Sequence, residues 1–217
     1  MHAGGPAAHL SGVLLLGFPV PGTGLPFSAV LQELHRWLTH NNVVYTVIGG
    51  VAVVRHGASR TTGDIDLLVR PHEWARLQES AAVPFQIGPD WAIHDGSGTP
   101  IDVLYAGDDW DLPFLLPDPE SVREWDPAVG AWFVTPAALL ELKAAVYLSK
   151  RAEYGDATAA HDLADVAALL SGNRELGKDA VLESLHPSVR DVIRTTLREV
   201  ERYRRKQPKH RPDGNGN

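Results

Sequence analysis

"SRTTGDIDLLVRP", Ser59 to Pro71, sets two aspartates at the head of an apolar run that reads as a strand. Asp64 and Asp66 are two residues apart, so in an extended chain both side chains leave the same face. Carboxylates about 6 Å apart repel by about 2–3 kcal/mol at an effective dielectric of about 20. Such a pair must stand in water or be offset by positive charge. Which of these holds is decided by the sequence around it.

Upstream, Val43–Ile48 reads as a buried strand that Gly49-Gly50 ends, and "VAVVRHG" as a short helix closed by Gly57. Before them, Val30, Leu31, Leu34, Trp37 and Leu38 form a helical stripe over Phe27–His40. Downstream, Pro71 suits the first turn of a helix reaching about Ala81. Two extended pieces follow, Phe85–Gly88 and Trp91–His94, and then a strand, Ile101–Tyr105, with Asp102 near its start. After a connection containing Pro and Trp, Thr135-Pro136 offers an N-cap and a first-turn proline to a pattern that is helical nearly to the end. Breaks fall near Gly155, Gly172 and Pro187. The expected fold class is α/β (α+β), a small mixed sheet flanked by helices and followed by a C-terminal helical module. The expected divisions are an extension of uncertain order over 1–25, the α/β core over 26–134, the helical domain over 135–206 and a disordered tail over 207–217.

Composition narrows the classes. In 217 residues, 44% hydrophobic and 22% charged content is that of a globular chain. The absence of cysteine excludes disulfides, thiolate zinc sites and a cysteine nucleophile, which fits a cytoplasmic protein. The ten histidines show no helical zinc spacing. A net charge of −7 argues against a protein that coats nucleic acid, yet Arg202–Arg211 holds six Lys or Arg residues and no acid. That stretch reads either as a contact for RNA or as a solvated helix end. The apolar run in "GVLLLGFPVPGTGLP" is too short to span a bilayer, so no membrane partner is expected. Gly24 stands where its sketch of a phosphate loop would need Lys.

The chemistry gathers around a third carboxylate. If Ile101–Tyr105 pairs with the strand of Asp66, then Asp102 joins Asp64 and Asp66 at one edge of a sheet. A hard divalent cation removes the mutual repulsion, and Mg²⁺ takes oxygen ligands while keeping water and substrate phosphate in its shell. Two such ions activate an attacking oxygen and stabilise a leaving pyrophosphate. Gly49-Gly50 lets backbone approach a triphosphate closely.

"VIGGVAVVRHGASRTTGDIDLLV" together with "PIDVL" resembles the nucleotidyltransferase fold of the DNA polymerase β-like superfamily. Its wording is closest to the abortive-infection toxin branch, with Arg60 and Thr62 ahead of Asp64. "LLELKAAVYLSKRA" and "HDLADVAALL" resemble that branch's Lys-containing and Asp-containing helices. The resemblance implies Mg²⁺-dependent transfer of a nucleoside monophosphate from an NTP to a hydroxyl on RNA, protein or a small molecule. It implies Asp64, Asp66 and Asp102 as catalytic metal ligands, and Gly49, Gly50, Arg60, Thr62, Lys143 and Asp162 as nucleotide-binding residues, with Asp165 a weaker candidate. A cognate antitoxin is the partner it implies. Gly50 departs from the pattern, since many members carry Ser there, and the chain is short for the toxin branch. The match spans roughly residues 27 to 170. Two other readings stay open: a transferase for small molecules such as antibiotics, and a nucleotide-binding or antitoxin-like protein without catalysis.

Overall fold

The computed structural model describes residues 27–79 and 84–206, so the expected extension and tail lie outside the described residues. Helix α1 (Phe27–His40) buries its expected stripe. Its Trp37 stacks on Phe85 at 4.6 Å between ring centroids and meets Trp74 edge-on. Strand β1 (Tyr45–Ile48) begins two residues later than the apolar run suggests, because the Val44 N–H turns to the Glu73 carboxylate at 2.6 Å. Helix α2 (Gly49–Arg55) starts at the end of β1, so the two glycines form its first turn. Gly57 closes it at φ +99°, a conformation that suits glycine.

Strand β2 (Ile65–Val69) leads into α3 (Pro71–Gln78), three residues shorter than expected, and then into β3 (Phe85–Ile87), β4 (Trp91–His94) and β5 (Pro100–Tyr105). Two further strands, β6 (Arg123–Asp126) and β7 (Ala131–Val134), occupy what the sequence presents as a connection. They form a hairpin whose turn is tied by Asp126, its Oδ1 accepting from the N–H groups of Ala128 at 2.8 Å and Val129 at 3.2 Å. The strands are four residues each; β6 is mostly charged and β7 wholly apolar, so neither shows a clear alternation. "DPAVG" between them was the available signal.

The sheet is mixed, in the order β3-β4-β5-β2-β1-β7-β6. β2 runs antiparallel to β1 and parallel to β5, while β1 runs parallel to β7. One face carries Val47, Leu67, Val103 and Phe133, all buried. Helices α4 (Pro136–Tyr154), α5 (Asp156–Gly172), α6 (Asp179–Ser184) and α7 (Pro187–Lys206) make the C-terminal part. Thr135 holds the N-cap position of α4, but its hydroxyl makes no capping bond. Gly155 alone separates α4 from α5, at φ +84°. A buried ion pair between Arg55 Nε and Asp126 Oδ2 ties α2 to the β6–β7 hairpin, with the guanidinium 5.9 Å from the Phe133 ring centroid. Among the described residues no helix is long and apolar enough to cross a membrane.

Candidate active site

Strand register assembles the site. Ile48 on β1 faces Asp66 on β2, Asp66 faces Asp102 on β5, and Asp102 faces Trp91 on β4. These four side chains therefore form one row on one face of the sheet, each about 5 Å from the next across the strands. Asp64 lies one residue outside β2, in the loop leading into the row. The Thr62 hydroxyl donates to Asp64 Oδ1 at 2.8 Å and fixes that loop.

The glycines are set by what lies over them. A Cβ on Gly49, whose φ is +63°, would stand 1.8 Å from Asp66 Oδ2. A Cβ on Gly50 would stand 2.5 Å from Thr62 Oγ1 and 3.1 Å from an Arg60 guanidinium nitrogen. The Gly50 N–H points at Asp66 Oδ2 at 3.3 Å, so this backbone donor already has an anionic partner. The two glycines thus let the start of α2 close down on the carboxylates of β2.

The electrostatics follow from that closeness. Burial first, then the charges of Asp64 and Asp102, push the Asp66 carboxyl up to about 6, against the opposing pull of Lys143 and the Gly50 N–H. Asp102 is also raised, by burial and by the negative charges of Asp64 and Asp90. The cations lie opposite. Lys143 Nζ on α4 reaches Asp165 Oδ2 at 2.8 Å and Asp162 Oδ1 at 3.3 Å. Lys150 Nζ reaches Asp162 Oδ2 at 2.8 Å. Arg60 donates to both oxygens of Asp165, at 2.7 and 2.9 Å. Burial would raise the Asp162 carboxyl, but Lys150 and Lys143 override it and hold it below the usual range.

The structure therefore brings Asp66 and Asp102 side by side with Asp64 flanking, and places Lys143 within electrostatic reach of Asp66. Arg60, Lys143 and Asp162 form a second cluster with Asp165 and Lys150. Asp165, only 4% exposed, is the centre of that cluster and not a peripheral member. Lys150 was readable in principle, since it lies two helical turns after Lys143 on the same face. Asp90 and Trp91 carry no sequence motif; only strand register puts them beside Asp102.

The row offers a metal only carboxylate oxygens, which select a hard cation such as Mg²⁺ over softer ions. Burial, and after it the charge of Asp64, disfavours the ionised form of Asp66. Among the described residues no three His, Cys, Asp or Glu side chains stand together so that they could hold a metal ion as placed. An octahedral shell here would be completed by water and substrate oxygens.

Beside the row, a largely apolar cavity of about 460 Å³ is lined by Ile48, Leu68, Phe114, Val134, Leu142 and His186, among others. It lies between the sheet and the C-terminal helices.

In overall shape the chain is similar to an antigenic nucleotidyltransferase-like protein from Paracoccidioides brasiliensis, with 17% identity over 82% of this chain and 88% of that one, at a TM-score of 0.48. It is similar also to the antibiotic-resistance factor ANT(2'')-Ia, with 13% identity over 83% of this chain and 97% of that one, at a TM-score of 0.47. No protein-family model and no curated protein matches the chain.

Proposed function

We propose that the protein is a nucleotidyltransferase that moves a nucleoside monophosphate from an NTP to a hydroxyl acceptor. The observation that carries this reading is the row itself, with Asp66 and Asp102 in register, Asp64 flanking them and Gly49-Gly50 closed over Asp66. In the reaction the acceptor oxygen forms a bond to the α-phosphorus, and the bond from that phosphorus to the pyrophosphate oxygen breaks. The acceptor proton passes to the Asp102 carboxylate, which partial burial and then the charges of Asp64 and Asp90 make a better base. Lys143 and Arg60 meet the phosphate charge, leaving their carboxylate partners to do so. Mg²⁺, held by Asp64, Asp66 and Asp102, would neutralise charge on the phosphoryl oxygens and the leaving group.

RNA or protein as the acceptor, and with it a toxin role and an antitoxin partner, is supported by the resemblance and by the basic stretch that begins in the last turns of α7. Within that stretch, however, Arg204 is turned back onto the Leu170 and Ser171 carbonyls at the end of α5, at 2.9 and 2.6 Å. Part of the basic charge thus serves the C-terminus of a helix. The small-molecule reading is favoured by Asp90, which adds a further carboxylate on the Asp102 side.

The test is transfer of label from α-phosphate-labelled NTPs, with Mg²⁺, to RNA, to protein and to small polyols in parallel. Label appears in one acceptor class, and Asp64→Asn or Asp66→Asn lowers it by on the order of 100-fold or more. Labelling that survives both substitutions places the chemistry elsewhere. NTP binding without turnover, insensitive to Mg²⁺, assigns the chain to nucleotide binding alone.

A further inference from the structure

Where the row ends, the cavity begins. Ile48 belongs to both: it faces Asp66 across the strands and lines the largely apolar space of about 460 Å³. Leu68 lies two residues along β2 from Asp66, and Val134 follows the Phe133 that pairs with Val47. Alternation puts both on the Asp66 face, and both line the cavity. From the other side come Leu142, the chain neighbour of Lys143, and the rings of Phe114 and His186, 5.2 Å apart between centroids. One carboxylate stands in this apolar lining. Glu141 Oε1 accepts from the His186 N–H, a bond that fixes the carboxylate and leaves its second oxygen able to accept from a ligand.

The position of the cavity bears on its use. Ile48 immediately precedes Gly49-Gly50, so the cavity adjoins the β1 side of Asp66, whereas Asp102 stands on the β5 side. In-line displacement at phosphorus sets the attacking and leaving oxygens on opposite sides. An acceptor that gives its proton to Asp102 enters from β5, which leaves the β1 side to the nucleotide. We infer that the cavity is the nucleobase subsite of this chain, with the base against Phe114 and His186, and that Glu141 selects among NTPs by accepting from an exocyclic amino group. The inference rests on the nucleotidyl-transfer reading above. Stacking on an aromatic ring holds any base, since every base has a π-face. Selection comes from the edge. A carboxylate in apolar surroundings accepts from the amino group of adenine, guanine or cytosine, but against the carbonyl that uracil presents in place of that group it is left unpaired.

The experiment is calorimetric titration of the whole chain in Mg²⁺ with the α,β-methylene analogues of ATP, CTP and UTP, and with inorganic tripolyphosphate, which has the phosphates and no base. The CTP analogue is expected to bind about tenfold more tightly than the UTP analogue. Glu141→Gln, whose amide both donates and accepts, is expected to bring the two within about threefold of each other. Ala138→Phe, which fills part of the cavity from its α4 wall, is expected to weaken the ATP analogue at least tenfold and to leave tripolyphosphate within about twofold. Phe114→Ala is expected to weaken the ATP analogue about tenfold through lost stacking. Equal affinity of the parent for the CTP and UTP analogues overturns the role of Glu141. An ATP-analogue affinity unchanged in Phe114→Ala overturns the subsite, whether or not Ala138→Phe still binds tripolyphosphate. In both cases binding of the ATP analogue by the parent leaves nucleotidyl transfer standing. If the parent binds neither the ATP analogue nor tripolyphosphate, nucleotidyl transfer falls and the subsite with it.

Discussion

At Asp66 a carboxylate is held where its neutral form is favoured, and the sign of that effect can be measured. Its proton affinity rises from an ordinary value of 3.8 to about 6 in the folded chain. Between those values the folded state binds more protons than the unfolded one. Stability from this group is therefore complete below about pH 4 and is lost as pH rises through about 6. Asp66→Asn, measured by urea unfolding in chelator, should gain on the order of 2 kcal/mol at pH 7.5 and close to nothing at pH 4. An equal gain at both pH values would show that repulsion is not the cause. The variant that gains stability is the same one expected to lose transfer, the exchange usual at strained functional groups. Gly49 belongs to the same logic: any side chain there meets Asp66 Oδ2 and needs a left-handed backbone as well.

Between elements, the fastening is ionic. Asp165 on α5 holds Arg60 from the loop before β2 and Lys143 from α4, and Asp162 holds Lys143 and Lys150. Removing one member leaves buried charge without a partner. Asp165→Asn should cost about 3 kcal/mol in urea unfolding. Arg151→Ala, which breaks the exposed pair of Arg151 with Asp156, should cost below about 1 kcal/mol. Similar losses from the two would mean that the cluster is surface decoration. Much of this level is legible in the sequence. The stripe of α1, the proline that opens α3 and the glycine breaks at Gly57 and Gly155 all act locally, through periodicity and backbone preference. The pairing of Asp66 with Asp102 is legible too, because both head apolar runs of strand length. Asp165 gathering Arg60 is not, since 105 residues separate the two and no local pattern relates them. Trp91 is invisible for the same reason: its place depends on register between β4 and β5. The β6–β7 hairpin was missed because both strands are only four residues long and β6, at the sheet edge, carries three charged residues.

For the whole molecule, the sheet joins sequence-distant halves, and the Arg55–Asp126 pair sits at that junction. Asp126→Ala leaves the Arg55 guanidinium buried without its counter-charge and should cost about 3–5 kcal/mol. Replacing both partners by apolar residues, Arg55→Met with Asp126→Leu, should recover most of that loss in thermal unfolding. If the double replacement is as costly as the single one, packing and not charge governs the junction. The strand order has a consequence for how the chain is made. The row Ile48, Asp66, Asp102 and Trp91 is complete once β5 exists, but the outer side of β1 awaits β7. A chain emerging from the ribosome therefore finishes its reactive half first. Until Ala131–Val134 appears, it carries Tyr45–Ile48, a strand buried along its whole length in the folded chain, as an open edge, which is the stage most exposed to self-association and to chaperone capture.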